Sequence, residues 1–369
     1  MSTLRHIETV PFRLPLKSAL RWGAASSLKS VEHTLIKVTL EDGTEDGVAG
    51  LSEALSRPTI YGETPQSIAG ALKYLAEALG GVDIEDEAGI ARALGSLAFN
   101  HTAKGGLDMA LWDARFKARG QNLFDGFAGP HTQLKVSYIL GISSLTDMLT
   151  EARAVYAQGV RVLKVKVGRD YAKDLELVRI LRGELPELEL YADSNETLSV
   201  ETAPHVLEVM RASGLLWVEE PLPVHLLRAR ADLRKLEILP LIADDSCFTL
   251  SALERELDFD TFDILNIKTA RTGFTESLKM LELVRGAGKS VMVGSQAGSL
   301  LSTRFAALLA SRDGVDKSSE LSFFLKLEGD IARPNPVLRE GILMLEDLRE
   351  VALDDTALES FRSGKVHQQ

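Results

Sequence analysis

Lysines and acids recur along this chain at nearly one spacing. Lys164-Val165-Lys166 is followed by Asp193, Glu219, Asp244 and Lys268, in steps of 27, 26, 25 and 24 residues from Lys166 onward. Each ends a short apolar run: RVLKVKV, LELYAD, LLWVEE, LPLIAD and FDILNIK. Three converging carboxylates offer hard oxygen ligands to a small dication such as Mg²⁺. Lysines beside such a site suit proton transfer. Lysine is a poor base at its ordinary pKa of about 10.4, and reaching ~8 takes about 3 kcal/mol of differential interaction. A metal and a second ammonium nearby disfavour the charged form and can supply it.

A strand with its crossover helix takes about 30 residues or slightly less. The spacing therefore predicts consecutive β/α units, each placing one polar side chain at the C-terminal end of its strand. In a parallel β/α barrel that end carries the active site. Lys164 and Lys166 are two apart and share a strand face. Asn195 shares a face with Asp193 and is placed to orient the site, and Asn266 shares one with Lys268. Lys268 lies half a barrel from the second strand, so it approaches from the side opposite Lys166. Glu220 and Asp245 directly follow two presumed ligands; they point differently and are expected to pair with lysines behind them. Alternate lysines often line a solvated strand face, and a single acid often caps a helix. Here Leu163, Val165 and Val167 are apolar neighbours, and three acids at strand ends in register favour chemistry.

Eight strand candidates follow Lys135: KVSYILG, RVLKVKVG, LELYAD, LLWVEE, LPLIAD, FDILNIK, KSVMVG and SSELSFFL. Residues 1–50 alternate apolar and polar positions, with a turn signal at Asp42-Gly43, and residues 64–129 carry helical spacing. That order predicts an α+β domain over residues 1–130 and a barrel over 131–325. A Pro-rich and then strand-like tail, 326–369, is expected to return to the cap.

The chain has 369 residues, 45% hydrophobic, which is enough for a barrel of about 250 residues and a second domain. Its net charge of −11 argues against nucleic acid as a partner. No apolar run is long enough for a membrane span, no leader pattern is seen, and the single cysteine, Cys247, excludes an internal disulfide. A cytoplasmic protein is expected. The histidines show no metal-ligand spacing. Gly294-Ser295-Gln296-Ala297-Gly298 fits a serine nucleophile elbow only out of register.

Together, Lys164-Val165-Lys166, Asp193-Ser194-Asn195, Trp217-Val218-Glu219-Glu220-Pro221, Ala243-Asp244-Asp245-Ser246 and Asn266-Ile267-Lys268 resemble the enolase superfamily, in its muconate lactonizing enzyme subgroup. Arg57-Pro58-Thr59-Ile60-Tyr61-Gly62-Glu63-Thr64, Lys268-Thr269-Ala270-Arg271-Thr272-Gly273-Phe274-Thr275 and Ser319-Glu320-Leu321-Ser322 narrow it toward an actinobacterial type of muconate cycloisomerase. The resemblance implies a (β/α)₇β modified TIM barrel, an α/β barrel under an α+β capping domain built from the N-terminal part and the C-terminal tail. It implies Mg²⁺, or Mn²⁺, on Asp193, Glu219 and Asp244, with Lys166 and Lys268 as the acid/base pair. Lys164 would assist Lys166 and the substrate carboxylate. Cap loops near Leu20–Ser27 and Arg57–Tyr61 would close over a small carboxylate, with Leu20, Trp22, Arg57, Ile60, Tyr61, Gln296 and Glu320 as its contacts. A homo-oligomer, dimer or octamer, is expected.

The chain departs from the family at four points, one being that the tail LEDLREVALD lacks the usual Pro-Gly-Leu-Gly turn. Asp245 stands where Glu is usual, the seventh strand ends without a glutamate, and the eighth lacks the Asp-x-Asp that dipeptide epimerases use to hold an ammonium group. The shared step is enolate formation beside a carboxylate. Muconate cycloisomerisation is the first expectation. Racemisation or epimerisation of N-acyl or other amino acid derivatives is the alternative, and dehydration of a hydroxy acid or hydroxyproline is a third. The complete set of ligands and bases speaks against a metal-binding regulator without catalysis.

Overall fold

The computed structural model describes residues 2–22, 26–41, 43, 45, 47–168 and 170–369, with the backbone alone for Trp22 and Ser26. Asp42 of the expected turn and Gly23–Ala25 of the expected cap loop lie outside the described residues, as does the Trp22 side chain.

The cap begins with a long antiparallel hairpin, β1 (Thr3–Trp22) and β2 (Ser26–Glu41), extended by β3 (Val48–Leu55). Strand side chains alternate between faces, and the hairpin uses both. Ile7, Ile36, Val38 and Leu40 face three helices, α1 (Pro65–Ala78), α2 (Glu87–Gly95) and α3 (His101–Ala118). Val10, Phe12, Leu14, Val31 and Leu35 belong instead to the barrel's core. Thr64 caps α1 with its side chain, and Ser67 reciprocates. Small residues let α3 lie close on the sheet: a Cβ on Gly50 would strike the Ala110 carbonyl and the Ala114 amide.

A short α4 (Leu123–Gly126) and β4 (Gln133–Lys135) lead into seven parallel strands in sequential order. These are β5 (Ser137–Leu140), β6 (Val162–Lys166), β7 (Glu189–Asp193), β8 (Val218–Glu219), β9 (Leu241–Ala243), β10 (Ile264–Ile267) and β11 (Ser290–Val293). They alternate with α5 (Leu145–Ala157), α6 (Tyr171–Glu184), α7 (Ala203–Ala212), α8 (Leu227–Arg234), α9 (Leu250–Phe259), the short α10 (Thr269–Thr272), α11 (Thr275–Gly286) and α12 (Leu300–Ala310). The eighth position closes the ring. Ser137 N donates to Ser319 O (2.8 Å), and Glu320 N donates to Val293 O (2.8 Å). The expected strand SSELSFFL is cut short: Ser322 Oγ donates back to Ser137 O (2.8 Å), and Phe323–Lys326 coils into a 3₁₀ turn.

Because inward side chains come every second residue, the barrel interior is layered. Val162, Tyr191, Ile242, Ile264 and Met292 form an apolar floor. Lys164, Asp193, Asp244 and Asn266 stand two residues above on the same strand faces, and Lys166 and Lys268 two residues higher again.

The tail is β12 (Ala332–Arg333), β13 (Ile342–Met344), α13 (Leu345–Arg349), β14 (Ala352–Leu353), α14 (Asp355–Phe361) and β15 (His367–Gln368). It first seals the barrel's base: β13 pairs with β4, and Val136 N donates to Gly341 O (2.8 Å). The tail touches the cap at both ends: Glu328 N donates to Pro15 O (3.0 Å) at its start, and at its end Ser363 N donates to Pro11 O (2.9 Å) and β15 pairs with β1. Of the strand-like GILMLEDL only the first half is a strand, because Leu345 and Leu348 both turn inward as one helical face.

Cap and barrel are joined at a buried acid. Asp108, on α3, accepts hydrogen bonds from Phe274 N (2.6 Å), Thr275 N (2.9 Å) and Thr275 Oγ1 (2.6 Å) at the start of α11. Replacing Asp108 with Ala leaves these donors unmet, at about 1–3 kcal/mol for a buried unsatisfied group. Asp108→Ala should therefore lower the urea midpoint correspondingly, and a midpoint equal to that of the unaltered protein would show that the joint contributes nothing.

Candidate active site

At the C-terminal mouth of the barrel the ammonium and carboxylate groups interlock. Lys166 Nζ donates to Asp193 Oδ2 (2.5 Å) and Asn195 Oδ1 (2.9 Å). Lys268 Nζ pairs with Asp244 Oδ2 across the site. Beneath them Lys164, almost fully buried, touches three carboxylates: Glu219 Oε1 (2.7 Å), Glu320 Oε1 (2.7 Å) and Asp193 Oδ2 (3.1 Å). Asn266 Nδ2 donates to the other Glu219 oxygen (3.2 Å). Glu320 Oε2 accepts from Ser295 N (2.7 Å). Gly294 is a glycine because a Cβ there would collide with Asn266 Oδ1 and Lys268 Cε. The seventh strand thus ends in a residue that makes room for Lys268 rather than in an acid.

Burial would raise the Asp193 and Asp244 carboxyls, but Lys164 and Lys166 beside the first, and Lys268 and Arg271 beside the second, hold both well below the ordinary range. Glu219 goes the other way: burial, with Asp193, Asp244 and Glu320 close by, outweighs Lys164 and pushes it up. Asp245 is pushed to about 6 by burial and by Asp244. The expected lowering of lysine pKa is not what these contacts give. Burial alone would lower Lys164 and Lys268, yet their carboxylate partners hold both above the ordinary value. The lysines face the acids themselves, so their sign depends on what else those acids hold.

Two expected partners differ. Glu220 pairs with no lysine. It meets Arg230 of α8 (3.1 Å) and accepts from Asp244 N (2.7 Å) and Ser246 Oγ (2.7 Å), so it braces the Asp244 loop. Asp245 faces Arg271 Nη1 at 3.7 Å. Arg271 also lies 3.1 Å from Asp244 Oδ1 and stacks over Phe248 at 4.5 Å. Arg271 stands three residues after Lys268 on α10, and that proximity is the one sign of its role in the sequence. Asn195, Glu196, Glu220 and Ala297 all take left-handed φ values, 43°, 64°, 39° and 60°, so strained backbone gathers at the ends of β7, β8 and β11.

Most of the expected residues line one cavity. Lys164, Lys166, Asp193, Asn195, Asp244, Asp245, Lys268, Gln296 and Glu320 come from the barrel, and Leu20, Arg57, Ile60 and Tyr61 from the cap. Glu219, Glu220 and Asn266 lie behind this wall. Leu28, Ile139, Ser295, Ala297 and Phe323 complete it and were not foreseen.

The cap also grips the loop after β11. His33 Nε2 meets Ala297 O at 3.0 Å, and Arg57 Nη2 donates to Gln296 O (2.7 Å) and Ala297 O (3.1 Å). Glu53 accepts from Ser299 N (2.8 Å) and Ser299 Oγ (2.5 Å). These partners lie some 240 residues apart in sequence, which no local pattern reveals.

Among the described residues, no three His, Cys, Asp or Glu side chains stand as a formed metal-ion group. The donor set nevertheless fits a hard dication. Three buried carboxylates occupy neighbouring strand ends, with Asp193 and Glu219 in direct register. Asp244 Oδ1 has no hydrogen-bond donor, and ammonium groups already rest on all three acids.

A barrel with its functional groups at consecutive strand ends, under a cap that supplies one wall of the cavity, defines an enzyme. The N-terminal domain family of mandelate racemase and muconate lactonizing enzyme matches residues 12–126, and an enolase C-terminal domain-like family matches residues 147–349. The chain belongs to the enolase superfamily, in its muconate lactonizing enzyme subgroup. It is 30% identical over 344 residues to a hydrophobic dipeptide epimerase of Citrifermentans bemidjiense, covering 89% of this chain and 90% of that one. It is 29% identical over 318 residues to an aromatic dipeptide epimerase of Herpetosiphon aurantiacus, covering 85% and 88%. The structure of a muconate lactonizing enzyme from Mycobacterium smegmatis with muconolactone superposes with a TM-score of 0.90 at 29% identity, covering 98% of this chain and 100% of that one.

Burial raises Glu53 from 4.5 to about 7, against the pull of its bonds to Ser299. Its contribution to stability is therefore complete below about pH 4.5 and is lost as pH rises through 7. Relative to Glu53→Gln, the unaltered protein should lose about 2 kcal/mol between pH 5 and 7.5. Urea unfolding of both proteins at the two pH values measures this, and parallel pH profiles would refute it.

Proposed function

We propose that the protein is a racemase or epimerase that moves the α-proton of an N-acyl amino acid or a related amino acid derivative. The observation that carries this reading is the pair Lys166 and Lys268. They line one cavity from β6 and the end of β10, four strands apart in an eight-membered ring, each resting on a different carboxylate. A planar α-carbon held between them presents one face to each ammonium. Inverting a centre needs a base on one face and an acid on the other. The similarity to two dipeptide epimerases supports it.

Asp193, Glu219 and Asp244 would hold Mg²⁺ or Mn²⁺. When bound, that ion would polarise the substrate carboxylate as a Lewis acid. Lys164 and Asn266 hold Glu219, and Glu220 holds the Asp244 loop. Lys166, oriented by Asn195, takes or returns a proton on one face, and Lys268 does so on the other. The cap residues Leu20, Ile60 and Tyr61 exclude water from the exchanging proton.

The likeness to a muconate lactonizing enzyme favours a second reading, cycloisomerisation of muconate, in which only one lysine moves a proton. Single variants separate the two. In a racemase, Lys166→Ala and Lys268→Ala should each lower racemisation by roughly 10²- to 10⁴-fold. Each should also retain α-proton exchange with D₂O for just one enantiomer, the opposite one in each case. Deuterium incorporation from D₂O into muconolactone that is lost in Lys166→Ala and kept in Lys268→Ala, with no exchange of either amino acid enantiomer by the unaltered protein, would favour the single-mover reading. Full turnover by Lys166→Ala would end both.

EDTA treatment should abolish exchange, and Mg²⁺ or Mn²⁺ should restore it. Activity that persists through exhaustive chelation would remove the metal from the mechanism.

A further inference from the structure

The two lysines of the mouth are not held alike. Lys166 has two acceptors, Asp193 Oδ2 and Asn195 Oδ1. Asp193 is fixed in turn by Lys164 and by the main-chain amide of Asn195, which donates to its other oxygen (2.9 Å). Lys268 hydrogen-bonds to one side chain among the described residues, Asp244, because the amide of Asn266 is turned to Glu219. The place of Lys268 therefore depends on how Asp244 is held. The Asp244 amide goes to Glu220, and its other groups face Arg271. Arg271 Nη2 donates to Asp244 O (2.7 Å) and reaches Cys247 O at 3.4 Å, while Nη1 lies 3.1 Å from Asp244 Oδ1. The guanidinium also stacks over Phe248, so it grips the loop after β9 at four successive points. Arg271 is buried and is not part of the cavity wall.

The clamp has a firm base. α10 begins directly after Lys268, and the cap helix α3 packs on it closely: a Cβ on Gly105 would lie 2.9 Å from Ala270 O and 3.1 Å from the Arg271 main chain. One short helix thus carries both the lysine and the arginine that fixes the lysine's partner. A guanidinium suits this place, because its planar fork reaches a carbonyl and a carboxylate together. The bonds to the carbonyls of Asp244 and Cys247 do not depend on what the Asp244 carboxylate carries. Resting on the racemase or epimerase reading above, we propose that Arg271 is the positioning residue for Lys268, acting through Asp244, and that it serves one face of the α-carbon only. Lys166 stands on the other side with anchors of its own, none of them on α10 or in the loop after β9.

The test reads α-proton exchange in D₂O at saturating Mn²⁺. The probe is whichever of N-acetyl-phenylalanine, N-succinyl-phenylalanine and alanyl-phenylalanine the unaltered protein exchanges fastest, used in both configurations at the phenylalanine α-carbon. Lys268→Ala identifies the configuration that depends on Lys268. In Arg271→Gln exchange of that form should fall by about 10²-fold, the effect of a misplacement of about 1 Å. Exchange of the other should stay within about threefold, as for independent sites. Arg271→Lys keeps the charge but loses the fork, so it should show the same asymmetry with a smaller drop. It is the variant scored if Arg271→Gln does not unfold cooperatively. Bound Mn²⁺, counted by its EPR signal, should be retained in both variants. Equal loss of exchange from both configurations, or loss of bound Mn²⁺, would overturn the proposal by assigning Arg271 to the metal site as a whole. Undiminished exchange of both would overturn it as well. Each of these results leaves the racemase reading standing. Exchange of none of the three probes by the unaltered protein would end that reading and this inference together.

Discussion

One buried ammonium organises the barrel. Lys164 sits where water cannot screen it and meets carboxylates from β7, β8 and the closing segment at once. Without it, Asp193, Glu219 and Glu320 would share a low-dielectric space as like charges, each raising the others' proton affinity. With it, three strand ends are drawn to one point and Glu320 is turned so that it fixes the Ser295 amide. The arrangement of the mouth, including the separation of Lys166 from Lys268, follows from this hub and the apolar floor beneath it.

The second dependence runs between domains. One face of the β1–β2 hairpin is part of the barrel's hydrophobic core, and the opposite face belongs to the cap helices. The cap therefore cannot be a detachable lid. Its residues His33, Glu53 and Arg57 hold the loop after β11 in a shape that leaves Ala297 in left-handed backbone. Strain at that loop is sustained by contacts from a different domain, so the shape of the cavity is a joint property of the two.

How much of this was legible beforehand varied with the range of the contact. The period of two within strands and the spacing of about 25 residues between them placed the five mouth residues and their order around the ring. The same period put Asn195 on the face of Asp193 and Asn266 on that of Lys268; their bonds to Lys166 and Glu219 are cross-strand contacts that only the structure shows. Partners supplied from helices were not legible: Glu220 meets Arg230 because α8 crosses behind β8, and strand alternation says nothing of the residue a helix offers there. The eighth strand read longer than it is because Phe323, Phe324 and Leu325 look like strand residues, while a single hydroxyl at Ser322 turns the chain. The tail's helix at Leu345 was masked by a neighbouring strand of similar composition. Substrate preference was the least legible. It rests on cap residues whose facing partners lie hundreds of positions away.

The diametric placement of Lys166 and Lys268 has a thermodynamic consequence. On the proposed racemase reading, a device that works on a centre from both sides cannot choose the end point. For a pair of true enantiomers in water the equilibrium constant is one, so kcat/KM in the two directions must be equal however different the two lysines' surroundings are. Any asymmetry between Asp193 with Asn195 on one side and Asp244 with Arg271 on the other can appear only as matched changes in kcat and KM. If the substrate carries a second stereocentre, that equality no longer holds, and the measured ratio reports the free-energy difference between the epimers rather than anything about the protein.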